Sequence, residues 1–234
     1  MRPGERLADV GRFALRPTFA VQPMAWGRAA ALALALVFGL DWALGALTIW
    51  LTDHWSLPSG ILPQPIEQDI PLAEDLFTGL LLAPLLEELL FRGWLTGRIA
   101  ALRFALYGMA ALVLFLASLL VGPGLAQFVG LAGVATAIAG LVHWSHTHRR
   151  DSAVPAWFTR HFHWFVWGST LLFGLIHLGN YEQLTHPLGV LVVLPQTIGG
   201  LLLAYTRTRL GLRAAMAHHA AYNALFFASD YGWW

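Results

Sequence analysis

Residues 104–121 read FALYGMAALVLFLASLLV, and residues 125–142 read LAQFVGLAGVATAIAGLV. Neither run contains Asp, Glu or Arg. A helix needs about 20 mostly apolar residues to cross the hydrocarbon layer of a bilayer. Between the runs lies Val121-Gly-Pro-Gly124, a combination that stops helices and turns the chain. The stretch therefore predicts two membrane helices joined as a tight hairpin. Outward from it, long apolar runs recur at 28–52, 72–95, 162–179, 188–206 and 210–228. The expected fold is all-α, a polytopic membrane bundle of about seven transmembrane helices. Composition agrees: 57% of the 234 residues are apolar, 12% are charged, and mean hydropathy is +0.61. Soluble domains carry about twice that share of charge. Disordered, tail-like and most cytosolic classes are excluded, as is a nucleic-acid partner. The lipid bilayer is the expected surrounding.

The charges that remain are segregated. All fourteen basic residues are Arg. Five lie in the arm and at its junction with the first run, at 2, 6, 12, 16 and 28. Arg98 and Arg103 follow the second run. Arg149, Arg150 and Arg160 follow the fourth, and Arg207, Arg209 and Arg213 follow the sixth. In a seven-span arrangement these thirteen share one side, which is the cytoplasmic side by the positive-inside tendency. The opposite side holds Asp53, Glu67, Asp69, Glu74, Asp75, Glu182 and Asp230 and no Arg. The expectation is N-inside and C-outside, with residues 1–27 a cytoplasmic arm. The first run is read as a retained span and not a cleaved leader. No linker of domain-boundary type interrupts the chain, so residues 1–234 are read as a single membrane domain.

Ionisable groups at bilayer depth are costly and usually functional or paired. Three spans carry them: EELLFR at 87–92, FGLIH at 173–177 and HAAYN at 219–223. Residues four apart share a helix face, so Glu88 is placed to meet Arg92 and His219 lies on the face of Asn223. Glu87 is turned by about 100° from Glu88, and His218 by the same angle from His219. At 1.5 Å per residue, Glu87, His177 and Asn223 lie roughly 16, 22 and 18 Å from the cytoplasmic ends of their helices. These depths let the three groups meet. A structural role as helix bridges is the bland alternative for any one of them.

In that order and on separate spans, the three motifs resemble the signature of the CPBP family of intramembrane proteases. This group includes CAAX prenyl endopeptidases and bacteriocin-processing or self-immunity (Abi) proteins. Its pattern is Glu-Glu-x-x-x-Arg, then Phe-x-x-x-His, then His-x-x-x-Asn. The resemblance covers about residues 72–228, the protease-like core. The 85 residues from Arg92 to His177 exceed the usual spacing, and the hairpin 104–142 is read as an insertion. The resemblance implies hydrolysis of a peptide bond in a membrane-associated protein or peptide. Glu87 and His177 would activate water, and His219 and Asn223 would stabilise the oxyanion. Arg92 would hold Glu88. A bacterial cytoplasmic membrane is the expected location, with leader peptides or anchored protein tails as substrates.

Alternatives stay open at this stage. No cofactor is favoured, but Glu87, His177 and His219 could instead hold Zn²⁺, since three N/O ligands and a water make a catalytic zinc site. Lack of an HExxH motif and the amide of Asn223 weigh towards the metal-free route. A non-enzymatic immunity or binding protein could share the fold, and a proton-coupled transporter would call for inverted repeats, of which there are none. His143, His146, His148, His161 and His163 are read as a solvated, headgroup-facing loop in preference to a metal site. Asp41 is expected to bridge helices. Trp157, Trp164, Trp167, Trp233 and Trp234 suit interfacial belts. Pro195-Gln196 and Gly199-Gly200 suggest a kink and close helix approach, with a substrate-facing role for Gln196 secondary.

Overall fold

Helices account for nearly all the regular structure. The computed structural model describes residues 3–54, 61–66 and 70–232. Glu67, Asp69, Trp233 and Trp234, together with the side chains of Asp53 and Asp230, lie outside the described residues. In chain order the α-helices are α1 (Pro3–Leu15), α2 (Arg28–His54), α3 (Leu72–Phe77), α4 (Ala83–Glu87), α5 (Ile99–Ser118), α6 (Pro123–Thr147), α7 (Ala156–Arg160), α8 (Phe162–Ile176), α9 (Leu194–Leu210) and α10 (Leu212–Asp230). Among the described residues the β-type pairing is a single antiparallel bridge, Pro65 to Tyr181.

Four helical stretches are long and apolar enough to cross a membrane: Arg28–Leu51, Ile99–Ser118, Pro123–Thr147 and Pro187–Leu210. On α6 only 11% of the most apolar 18-residue stretch is buried. Leu125, Phe128, Leu131, Ile138 and Leu141 of that helix face outward. An apolar surface of that extent calls for a lipid surrounding. The expected α5–α6 hairpin is present, with its turn at 119–122. Among the described residues, length and composition thus support four of the seven expected spans. The other three expected spans are helical, but broken, short or polar.

Residues 72–95 show why. In place of one helix the chain forms α3, a π turn at Thr78–Leu82, α4, a second π turn at Glu88–Arg92 and a 3₁₀ turn at Gly93–Thr96. Pro84 has no N–H to give the preceding turn, and the first π turn lies directly before it. π turns of this kind often mark functional segments. Pro195 likewise lies in the first turn of α9, after a 3₁₀ stretch at Pro187–Val193, so it starts the α-helix and does not kink it.

The helices group into two compact units, residues 1–88 with 162–234, and residues 89–161. In the first unit α9 packs against α1, α2, α8 and α10. Small residues let these backbones close in: Ala30 and Ala33 of α2 meet Leu210 and Ala214. The arm includes amphipathic α1, which buries Val10 and Phe13. Asp9 accepts hydrogen bonds from the Tyr205 hydroxyl (3.0 Å) and Arg209 Nε (3.2 Å). At another point of this unit, Ile66 N–H donates to the Asn180 carbonyl and Glu182 N–H to that of Gln64, both at 2.9 Å.

In the second unit α5 packs on α6, and Arg103 pairs with Asp151 at 2.7 Å. Arg92 is fully buried here. Most of the "loop" histidines are helical or bonded locally. His143 and His146 lie on α6; His143 Nδ1 is 3.2 Å from the Tyr107 hydroxyl, and the His146 ring bonds its own helix at the Val142 carbonyl. His148 stacks on Trp144, and His161 bonds the Trp157 carbonyl.

Candidate active site

The broken helix over residues 72–88 and the polar face of α10 meet. Asn223 Nδ2 donates to the Gly79 carbonyl in the first π turn, at 2.7 Å. Glycine is required at that point: a Cβ on Gly79 would run into the ring of Phe227, one turn beyond Asn223. One turn earlier on α10, His219 lies between two carboxylates. Its Nδ1 is 3.1 Å from Glu88 Oε1, and its Nε2 is 3.8 Å from Glu87 Oε2. Glu88 is completely buried and His219 nearly so, while Glu87 keeps a quarter of its side chain exposed. Glu87 Oε2 is itself buried and has no hydrogen-bond partner among the described residues.

His177 begins the 3₁₀ turn His177–Asn180 at the end of α8. Its Nδ1 is 2.7 Å from the Phe173 carbonyl. A carbonyl only accepts, so Nδ1 carries a proton and Nε2 is the basic nitrogen of the neutral ring. The Phe173 ring packs edge-on against both His177 (4.7 Å) and His219 (6.0 Å).

His177, His219 and Asn223 line one cavity of about 370 Å³, together with Asp41, Gln196, Tyr181 and Tyr222. Glu87 and Glu88 adjoin it through His219. The sequence spacing pointed Glu88 at Arg92; the structure adds a contact from Glu88 to His219, 131 residues along the chain. Among the described residues no group of three or more His, Asp or Glu side chains is arranged to hold a metal ion.

The neighbouring His218 turns away, as its helical offset requires. Its Nε2 is 3.1 Å from Asp41 Oδ2 and its Nδ1 3.1 Å from Thr206 Oγ1. The Asp41 contact is off the hydrogen-bond direction, so it is electrostatic. All three groups are buried, and they tie α2, α9 and α10 together. Asp41 thus bridges helices as expected. Tyr181, Tyr222 and the Gly79 carbonyl escaped the sequence reading, because an x position in a motif and a backbone oxygen leave no mark in it.

Residues 147–225 match a family model described as type II CAAX prenyl endopeptidase Rce1-like. The matched stretch includes the motifs at 173–177 and 219–223 and begins well after that at 87–92. No curated protein and no solved structure matches the chain. The family resemblance carried by the three motifs is therefore met by this match: over residues 147–225 the chain is similar to the Rce1-like CAAX prenyl endopeptidases, a family of proteases.

Proposed function

We propose that the protein is an intramembrane endopeptidase that hydrolyses a peptide bond in a membrane-associated protein or peptide. The observation that carries this reading is the buried Oε2 of Glu87, without a hydrogen bond among the described residues, 3.8 Å from His219 and next to a cavity that His177, His219 and Asn223 line. Glu87 is the general base. It takes a proton from water as the water oxygen adds to the substrate carbonyl carbon, and His177 Nε2 holds that water. The second amide hydrogen of Asn223 donates to the oxyanion, and His219, whose Nδ1–H is held by Glu88, joins it when Nε2 also carries a proton. Collapse breaks the C–N bond, and the proton held by Glu87 passes to the leaving amine. General acid–base catalysis of this kind contributes ~10²–10⁴-fold, and an oxyanion donor about 3 kcal/mol. Glu88 orients His219. The hairpin 104–142 is an insertion in the family core, and the expected host membrane is the bacterial cytoplasmic one.

The test is cleavage of a quenched transmembrane peptide by the purified protein. Glu87→Gln removes the base and should abolish cleavage, while His146→Ala should leave it unchanged. Activity should survive a strong chelator. Loss on chelation with recovery on adding Zn²⁺ would replace this mechanism by the one in which Glu87, His177 and His219 are ligands. No cleavage of any peptide would favour the non-enzymatic immunity or binding protein.

A further inference from the structure

The cavity has one wall that the hydrolysis does not use. Asp41 of α2 and Gln196 of α9 both line it. Gln196 Oε1 is buried and has no hydrogen-bond partner among the described residues. Its amide is oriented by the Nε2 contact to the Tyr181 hydroxyl at 3.4 Å, which leaves the oxygen as the atom still to be satisfied. A buried carbonyl oxygen without a donor is costly.

Asp41 lies next to the same spot. Gln196 and Gly199 are three apart on α9 and so share a face. A Cβ on Gly199 would stand 3.4 Å from Asp41 Oδ1. Glycine there leaves the carboxylate bare towards the helix. His218 approaches the other oxygen, Oδ2. His218 thus faces Thr206 and Oδ2, and Oδ1 is the oxygen turned towards Gly199. The wall therefore presents acceptors: one neutral carbonyl and one buried carboxylate.

Resting on the protease reading above, we infer that Asp41 and Gln196 form a substrate subsite for a side chain rich in N–H donors, a Lys or Arg of the membrane-associated peptide. The subsite selects against an acidic or purely aliphatic residue at that position. Hydrogen bonds with one charged partner are among the stronger ones in proteins, so the preference should exceed tenfold.

The experiment compares peptides that differ at one residue near the cut: Lys, its uncharged isostere norleucine, or Glu. Cleavage (kcat/KM) and direct binding by fluorescence anisotropy are both measured on the full protein in detergent. The expected order is Lys over norleucine over Glu, with Lys at least tenfold ahead of norleucine. Gln196→Leu and Gly199→Ala should each shrink the Lys-to-norleucine ratio severalfold. Asp41→Asn should shrink it most, and the first two variants keep the test valid if that one misfolds. Binding of Lys peptide no tighter than norleucine peptide would overturn the subsite, whether or not cleavage occurs. Preferential binding of Lys with no cleavage of any peptide would leave the subsite standing and refute the protease reading instead.

Discussion

Glu88 offers the sharpest perturbation, because its partner separates local from tertiary origin. Its Oε1 is 3.1 Å from His219 Nδ1, and both groups are buried. Glu88→Gln keeps an acceptor oxygen at the same reach. Glu88→Met keeps the volume and removes the acceptor, so the difference between the two variants reports the loss of the acceptor. A buried donor left unsatisfied costs ~1–3 kcal/mol. At about 2 kcal/mol, and roughly 2–4 °C per kcal/mol for a chain of this size, Met should melt roughly 4–8 °C below Gln.

Activity should separate further. His219 with its Nδ1 unanchored loses its orientation, and an oxyanion donor worth about 3 kcal/mol corresponds to ~10²-fold in rate. The assay is thermal unfolding in detergent alongside kcat on a quenched peptide. Expected is a kcat for Met about a hundredfold below that of Gln, with KM little changed. Equal melting temperatures and kcat values within twofold of each other would show that the contact does not position His219.

Further outcomes follow from the same geometry. An epitope at the N-terminus should be cytoplasmic and one at the C-terminus on the opposite side, read by protease protection in spheroplasts; both on one side would end the seven-span arrangement. Gly79→Ala pushes on the Phe227 ring and lifts α10 from the Gly79 carbonyl, so it should cost ~1–3 kcal/mol in thermal unfolding and lower kcat with Asn223 displaced. Thr206→Val removes the hydroxyl from the His218 cluster and should destabilise by about 1 kcal/mol, while Thr206→Ser should be close to wild type.

The hairpin at 104–142 was legible because two uncharged runs flank a Gly-Pro-Gly turn, and both features act locally. Asp41 was legible as a bridge because an acid within an apolar helix must find a partner. Its partner was not, since His218 is far along the chain. The arginine count grouped the arm with residues 207–213, and in the structure Arg209 does meet Asp9 of α1 at 3.2 Å. The loops counted on the arginine-free side meet as well, through Gln64, Ile66, Asn180 and Glu182. Residues 72–95 misled, because hydropathy reports how apolar a run is and not the register of its backbone hydrogen bonds. Pro84 was the available signal. For Glu88, i to i+4 spacing ranks only partners on the same helix, so it could name Arg92 and could not name His219, which is on another.

The three expected spans that fall short by length or hydropathy are the ones that carry the motifs, and this follows from what a buried site demands. Polar groups lower hydropathy, and a broken ladder frees carbonyls such as that of Gly79 to accept from Asn223. Such helices cannot be held by lipid-facing surface alone, so other anchors must set their rotation. On α10 three anchors lie within six residues. His218 meets Asp41 and Thr206, His219 meets Glu88, and Asn223 meets Gly79. Turning α10 by one residue, about 100°, would break all three together. The adjacent histidines thus divide the labour: His218 locks the helix to α2 and α9, and that lock keeps His219 facing the two glutamates.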